Sequence, residues 1–271
     1  MQQKQIAKNI GFSVSAQAVS FVVSLLTGLV VPKFIDEFQY AYWQAYILYV
    51  GYVGILHFGI IDGLVLRYAQ YDYAQLDKKA VRSQFHILLI LDSIIAVLVG
   101  VISQIAATGY MREVALYVAI GIVTKNLFTY SSYQLQMTNR IKHYAGVVVS
   151  QRFLYGLIVV ALLLLKVNNF AWYCIADLFC DIVATAYALG CSKELYIGSD
   201  LERGVAFKET FISASAGIFV LIANWSSNLL IGSGKMIVQW HWDELLFGKM
   251  SFAFSISNLF LTFVSAISIV L

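Results

Sequence analysis

Long apolar runs separated by short polar ones set the pattern of this chain. Eight of them approach the roughly 20 residues that cross a bilayer as a helix: 10–32, 42–66, 84–106, 113–136, 143–166, 169–191, 210–232 and 249–271. Polar positions inside the runs are sparse and periodic. In the first, Ser13, Gln17, Ser20, Ser24 and Thr27 recur at steps of four and three, which is one helical face. In the seventh, Ser213, Gly217, Asn224 and Ser227 follow the same spacing with Val220 interrupting. A polar stripe on a buried span is either hydrogen-bonded packing between helices or the wall of a water-filled cavity. The two stripes match, as expected if each opens a structural repeat. The pattern predicts an all-α integral membrane fold of about eight transmembrane helices. A six-helix N-terminal lobe would occupy 1–192, a cytoplasmic linker 193–208, and the first two helices of a second, incomplete lobe 209–271.

The second run is the most distinctive. Tyr40, Tyr42 and Trp43 open it and Arg67 closes it, as in a span with an aromatic belt at one end and a basic one at the other. Gly51, Gly54, Gly59 and Gly63 thin one side. Gly59 and Gly63 are four apart, so another backbone could approach closely there. Asp62 lies between them, near the expected membrane edge.

Composition agrees with the pattern. Hydrophobic residues make up 60% of the 271 and charged ones 12%, with a single Pro; soluble domains carry roughly 25% charge. The net charge of +3 gives no reason to invoke nucleic acid. Lys4, Lys8, Arg67, Lys78, Lys79, Arg82, Arg140, Lys142, Lys193, Arg203 and Lys208 fall on one side of the alternating spans. Only Lys33, Arg112, Lys166, Lys235 and Lys249 fall on the other. The positive-inside rule then places the N-terminus and the linkers 68–82 and 193–208 in the cytoplasm. Met1 to Asn9 is polar and the first apolar run has no cleavage-like end, so no signal peptide is read. Cys174, Cys180 and Cys191 lack metal-ligand spacing and a partner across a loop; neither a disulfide, a metal nor another cofactor is expected.

Charges deep in spans cost about 2.5–3.5 kcal/mol each on insertion scales and are candidates for function. Here they are Asp92, Lys125, Arg152, Asp177 and Asp181. Asp177 and Asp181 are one turn apart on one face, and two carboxylates in a low dielectric disfavour joint ionisation. One reading is an internal ion-pair network in which the three acids neutralise Lys125 and Arg152. The other is a cationic pocket, Arg152 with Lys125, for an anionic substrate, beside acids that take up a coupling cation. His57 and His86 have no second ligand at metal spacing and read as packed or interfacial. Trp240, His241, Trp242 and Asp243 read as an interfacial belt. Asp36 and Glu37, in a loop too short for a sugar site, are a weak basis for a membrane glycosyltransferase.

Several of these residues also resemble a known family. Pro32 closing the first span, Tyr42, Trp43 and Gln44 opening the second, the stretch HFGIIDGLVLRYAQ from His57 and the opening KNIGFSVSAQAVSFVVSLLTGLVVPKF from Lys8 resemble the polysaccharide repeat-unit flippases. These belong to the multidrug, oligosaccharidyl-lipid and polysaccharide exporter superfamily. The likeness covers about the first eighty residues. It implies a non-enzymatic transporter of the bacterial cytoplasmic membrane that moves an undecaprenyl-pyrophosphate-linked oligosaccharide outward. A polysaccharide polymerase or other assembly proteins would be its further partners. It also implies two six-helix lobes whose first and seventh helices face a central cavity, so that Ser13, Gln17, Ser20, Ser24 and Asn224 would line it. Against twelve to fourteen helices in the family, eight are expected to be a partial product, inactive alone. A multidrug or cation antiporter of the same superfamily is the alternative, and Lys125 with Arg152 argues mildly against it.

Overall fold

The computed structural model describes Gly11 and residues 17–268. Nine helices follow one another there: α1 (Gln17–Lys33), α2 (Glu37–Val50), α3 (Ile60–Tyr68), α4 (Lys78–Ala106), α5 (Tyr110–Met137), α6 (Ile141–Leu164), α7 (Phe170–Cys191), α8 (Arg203–His241) and α9 (Glu244–Ser268). Among the described residues there is no strand. Five helices, α4 to α7 and the Arg203–Ser226 part of α8, are long and apolar enough to cross a membrane. The bent pair Glu37–His57 with Ile60–Tyr68 makes a sixth. Of the two remaining expected spans, the first appears as the shorter apolar helix α1 and the eighth corresponds to α9.

Helix starts follow from local chemistry. Asp36 accepts hydrogen bonds from the amides of Phe38 and Gln39, Asp77 from those of Lys79 and Ala80, and Asn169 from that of Ala171. Each supplies an acceptor that the first turn of α2, α4 or α7 lacks. Asn139 (φ 54°) and Lys166 (φ 54°) turn the chain out of α5 and α6 in the left-handed conformation that commonly ends helices.

The bundle is apolar outside and polar inside. Along α4, Ile90, Ile94, Val97, Leu98, Val101, Ile102 and Ile105 form one face, 54–81% exposed. Gln84, Asp92, Ser131, Gln134, Asp181 and Ser213 are all 0% exposed. Water would reverse that order; lipid explains it. α5 is central, packed on α4, α7, α2, α6 and α3. α8 lies along α3 and α4, and α9 along α2.

The expected loops gather at two opposite ends. At one, the amide of Asp36 donates to Asn168, Gln39 accepts from the amide of Phe170, and Tyr42 stacks on Tyr110. At the other, Arg140 binds Ser192, Lys78 meets Glu194 and Arg67 meets Glu209.

The second expected span is not continuous. After α2 the chain tightens into a 3-10 turn (Val53–His57), and Phe58 (φ 49°) and Gly59 (φ 78°) then take left-handed conformations. The two halves meet at 54°. Gly59 adopts such a φ at no steric cost; a phenylalanine there is strained and must be held by its surroundings.

Candidate functional site

Three of the five deep charges come together in the middle of the bundle. Lys125 lies fifteen residues into α5, about 22 Å along the axis. Its ammonium is 2.7 Å from Asp177 Oδ2 and 2.6 Å from Asp181 Oδ2, both on α7. The Tyr46 hydroxyl, from α2, donates to Asp177 Oδ2 at 2.8 Å, and the Gln151 amide, from α6, donates to Asp181 Oδ1 at 2.9 Å. Four helices thus meet on one ion cluster. The Asp181 side chain is 1% exposed, Asp177 13% and Lys125 22%. With both carboxylates ionised it carries one negative charge in excess.

Asp92 and Arg152 stand outside this cluster. Asp92, on α4, accepts at 3.0 Å from the side chain of Asn126, and its second oxygen has no hydrogen-bond partner. Among the described residues no cation lies within ion-pair distance of Asp92 and no carboxylate within that distance of Arg152. The five-member network that the sequence allows is therefore a three-member one. Lys125, one half of the expected cationic pocket, is engaged by two acids. Arg152 is exposed on α6, about 16 Å from Ile141.

The polar stripe of the first span divides. Ser13 lies outside the described residues. Gln17 is exposed and Ser20 half-buried. Ser24 lines a cavity of about 200 Å³ with Thr27, Trp43, Gln44 and Lys235. Asn224, from the seventh-span stripe, lines a larger one of about 610 Å³ with Asp62, Tyr133, Gln136 and Asp72.

The larger cavity adjoins the break. Where α3 leaves Gly59, the backbone of α8 crosses at van der Waals range. A Cβ added to Gly63 would fall on the Ser213 carbonyl, and one added to Gly217 would fall on the Gly59 carbonyl. The close approach read from Gly59 and Gly63 is thus to Ser213 and Gly217 of α8. Asp62, 7% exposed, faces Asn224 of α8 at 3.5 Å and His57 Nε2 at 3.8 Å. Asp62 is therefore buried against α8.

At the end that carries the basic loops, Arg82 anchors the chain between α7 and α8. It donates to the carbonyls of Glu194 (2.7 Å) and Ser199 and pairs with Asp200 at 3.3 Å. His86 holds Asp200 at 2.7 Å. Hydropathy counts Arg82 and His86 only as charge near a span end; their shared partner is 114–118 residues away and invisible to it.

No family model matches the chain, and no curated protein matches it. One solved structure, a MOP superfamily transporter from Pyrococcus furiosus, is similar at 15% sequence identity and a TM-score of 0.46, over 98% of this chain and 68% of that one.

Proposed function

We propose that this chain is a membrane exporter of the flippase type, which carries an oligosaccharide on a prenyl pyrophosphate lipid across the cytoplasmic membrane for surface polysaccharide assembly. The observation that carries the transport part is the cluster of Lys125, Asp177 and Asp181. A bundle faced with lipid gains nothing in stability from a half-neutralised triad, since burying charge costs several kcal/mol per ion. The excess of one acid gives it a use: a proton or a small cation completes the balance, and its loss restores the charge. The lipid-linked substrate and the outward direction rest on the resemblance of the first eighty residues. In this reading α1 to α7 form one lobe, and α8 and α9 begin the other.

Arg152 is the residue assigned to the pyrophosphate. Its guanidinium forks to match two phosphate oxygens, it lies near mid-membrane by helix length, and no carboxylate neutralises it among the described residues. The same excess of acid in the triad favours a second reading, an antiporter for organic cations. The test is binding by the purified protein in nanodiscs, with a prenyl-pyrophosphate oligosaccharide, the matching neutral prenol and ethidium as ligands. The pyrophosphate lipid should bind, lose affinity by tenfold or more on Arg152→Gln and keep part of it on Arg152→Lys. Binding of ethidium with no binding of the pyrophosphate lipid would replace this reading with the antiporter.

A further inference from the structure

The break in the second span holds a buried acid that the ion cluster does not use. Asp62 is the third residue of α3, 7% exposed, and it borders the cavity of about 610 Å³. Its Oδ2 has no hydrogen-bond partner. The same cavity is bordered by Asp72, in the turn after α3, and by Asn139, in the turn after α5, so it reaches from the interior to the end that carries the basic loops. A polar space of that size admits water.

The groups that face Asp62 are hydrogen-bond donors. The Asn224 amide lies 3.5 Å from Oδ1. His57 Nδ1 accepts the amide hydrogen of Gly59 at 3.2 Å, which leaves the ring proton on Nε2, 3.8 Å from Oδ2. That bond also fixes the ring as neutral, because a protonated Nδ1 would oppose the Gly59 N–H. From α5, Tyr133 borders the same cavity. From α4, Asp92 is turned to Asn126, whose amide reaches the Val53 carbonyl at the break. From α8, Glu209 is paired with Arg67, and no charged residue occurs between it and Lys235. A metal cation needs several oxygen ligands at short range, and among the described residues no group of three or more His, Cys, Asp or Glu comes together to hold one; the side chains nearest the Asp62 oxygens are Asn224 at 3.5 Å and His57 at 3.8 Å. An ionised carboxylate fits these donors, and a proton is the ligand that carboxylate can take.

We infer that Asp62 is a proton-exchange site, loaded and emptied through the cavity between α3, α5 and α8. Neither the cargo nor the role of Lys125, Asp177 and Asp181 enters the inference. Dicyclohexylcarbodiimide, which adds across a protonated carboxyl in an apolar setting, tests it on the unaltered protein, with the adduct mapped by peptide mass spectrometry. Asp62 should be labelled at acidic pH and lose the label as pH rises, with no protection by sodium. Asn224→Ala should move the midpoint of that loss to higher pH, since it removes a donor that favours the charged form. In parallel, infrared difference spectra between acid and alkaline pH should lose one protonated-carboxyl band in Asp62→Asn. No adduct at Asp62 at any pH, labelling independent of pH, or protection by sodium would each overturn the inference, as would an unchanged infrared difference in Asp62→Asn.

Discussion

Replacing Lys125 with methionine is the sharpest probe of the central cluster. Methionine is one heavy atom shorter than lysine but keeps most of its volume, and it removes the one cation that Asp177 and Asp181 share, at 2.7 and 2.6 Å. Two acids one turn apart would then face each other from α7, the inner one with a side chain 1% exposed. Removing one partner of a buried pair costs about 3–5 kcal/mol. Proton uptake by one acid offsets part of this, and Tyr46 and Gln151 each still satisfy one oxygen. The expected net loss is therefore at the lower end, about 3 kcal/mol, or a fall of roughly 6–12 °C in the unfolding midpoint for a chain of this size. Lys125→Met with Asp177→Asn and Asp181→Asn removes every charge and leaves an acceptor for both donors, so it should recover most of the loss. The assay is thermal unfolding in a mild detergent, followed by tryptophan emission at neutral pH. A single variant as stable as the parent, or a triple variant no better than the single, would refute the charge argument.

Three further outcomes are expected. Gly63→Ala and Gly217→Ala should each destabilise by about 1–3 kcal/mol or more, since the added methyl meets backbone that cannot rotate away. Gly100→Ala, whose Cβ would make an ordinary 3.7 Å contact with Ala119, should be neutral or slightly stabilising; equal midpoints for all three in thermal unfolding would contradict the close crossing. Single cysteines at Glu37 and Gln75, with Cys174, Cys180 and Cys191 replaced, should react with an impermeant maleimide from opposite sides of the membrane, Gln75 from the cytoplasm; labelling from one side rules out the span order. Finally, the Lys78 ammonium beside Glu194 holds that carboxyl below its ordinary 4.5. A lowered acid contributes stability above its unfolded value and loses it as pH falls through its folded value. Pepsin cleavage within 193–200, normalised to cleavage of an unstructured reference peptide at each pH, should therefore rise as pH drops below about 4.5 in the parent, whereas Glu194→Gln should show no such normalised rise, and identical normalised profiles would exclude the pair as an acid-sensitive latch.

Much of the helical framework was legible because the bilayer is a strict ruler. The expected 113–136, 143–166 and 169–191 differ from α5, α6 and α7 by three residues or fewer at either end. The misses share a cause. Hydropathy sees only the part of a helix that meets lipid, so α4 begins six residues before the expected 84, in an amphipathic turn that carries Lys78, Lys79 and Arg82. α8 runs 39 residues where 23 were expected. At the candidate site the charges could be named and their grouping could not. Lys125 and Arg152 are alike as residues in a span, and only the rotation of α5 and α6 decides which one meets α7. Tyr46 and Gln151 gave no signal, since a tyrosine or glutamine in an apolar run reads as filler until a carboxylate is found 2.8–2.9 Å away. The glycines announced a close approach at Gly59 and Gly63. They did not announce the break, because Phe58, the other left-handed residue, has no sequence mark.

That break is the feature that ties the two charged regions together. In lipid an interrupted helix leaves backbone groups unpaired at a cost of several kcal/mol each, so it persists only where protein or a water-filled cavity covers it. Here protein covers it. Asn126 of α5 donates to the Val53 carbonyl within the break, at 3.4 Å, and the glycine face of α3 is pressed against α8. Beyond lies the cavity that Asp62 borders. Asn126 follows Lys125 in the chain, so the residue that binds the break is bonded to the residue that holds the α7 acids. Next to the break it meets Asp92, and next to the cluster its neighbour meets Asp177 and Asp181. The α7 acids and the break thus contact adjacent residues of one turn of α5, Lys125 and Asn126. Coupling between two sites requires an element with more than one stable arrangement. The stretch at Phe58 and Gly59 lacks the regular hydrogen bonding of α5 and α7, and its placement depends on Asn126, on the Gly59 amide bonded to His57 Nδ1 and on the glycine crossing with α8.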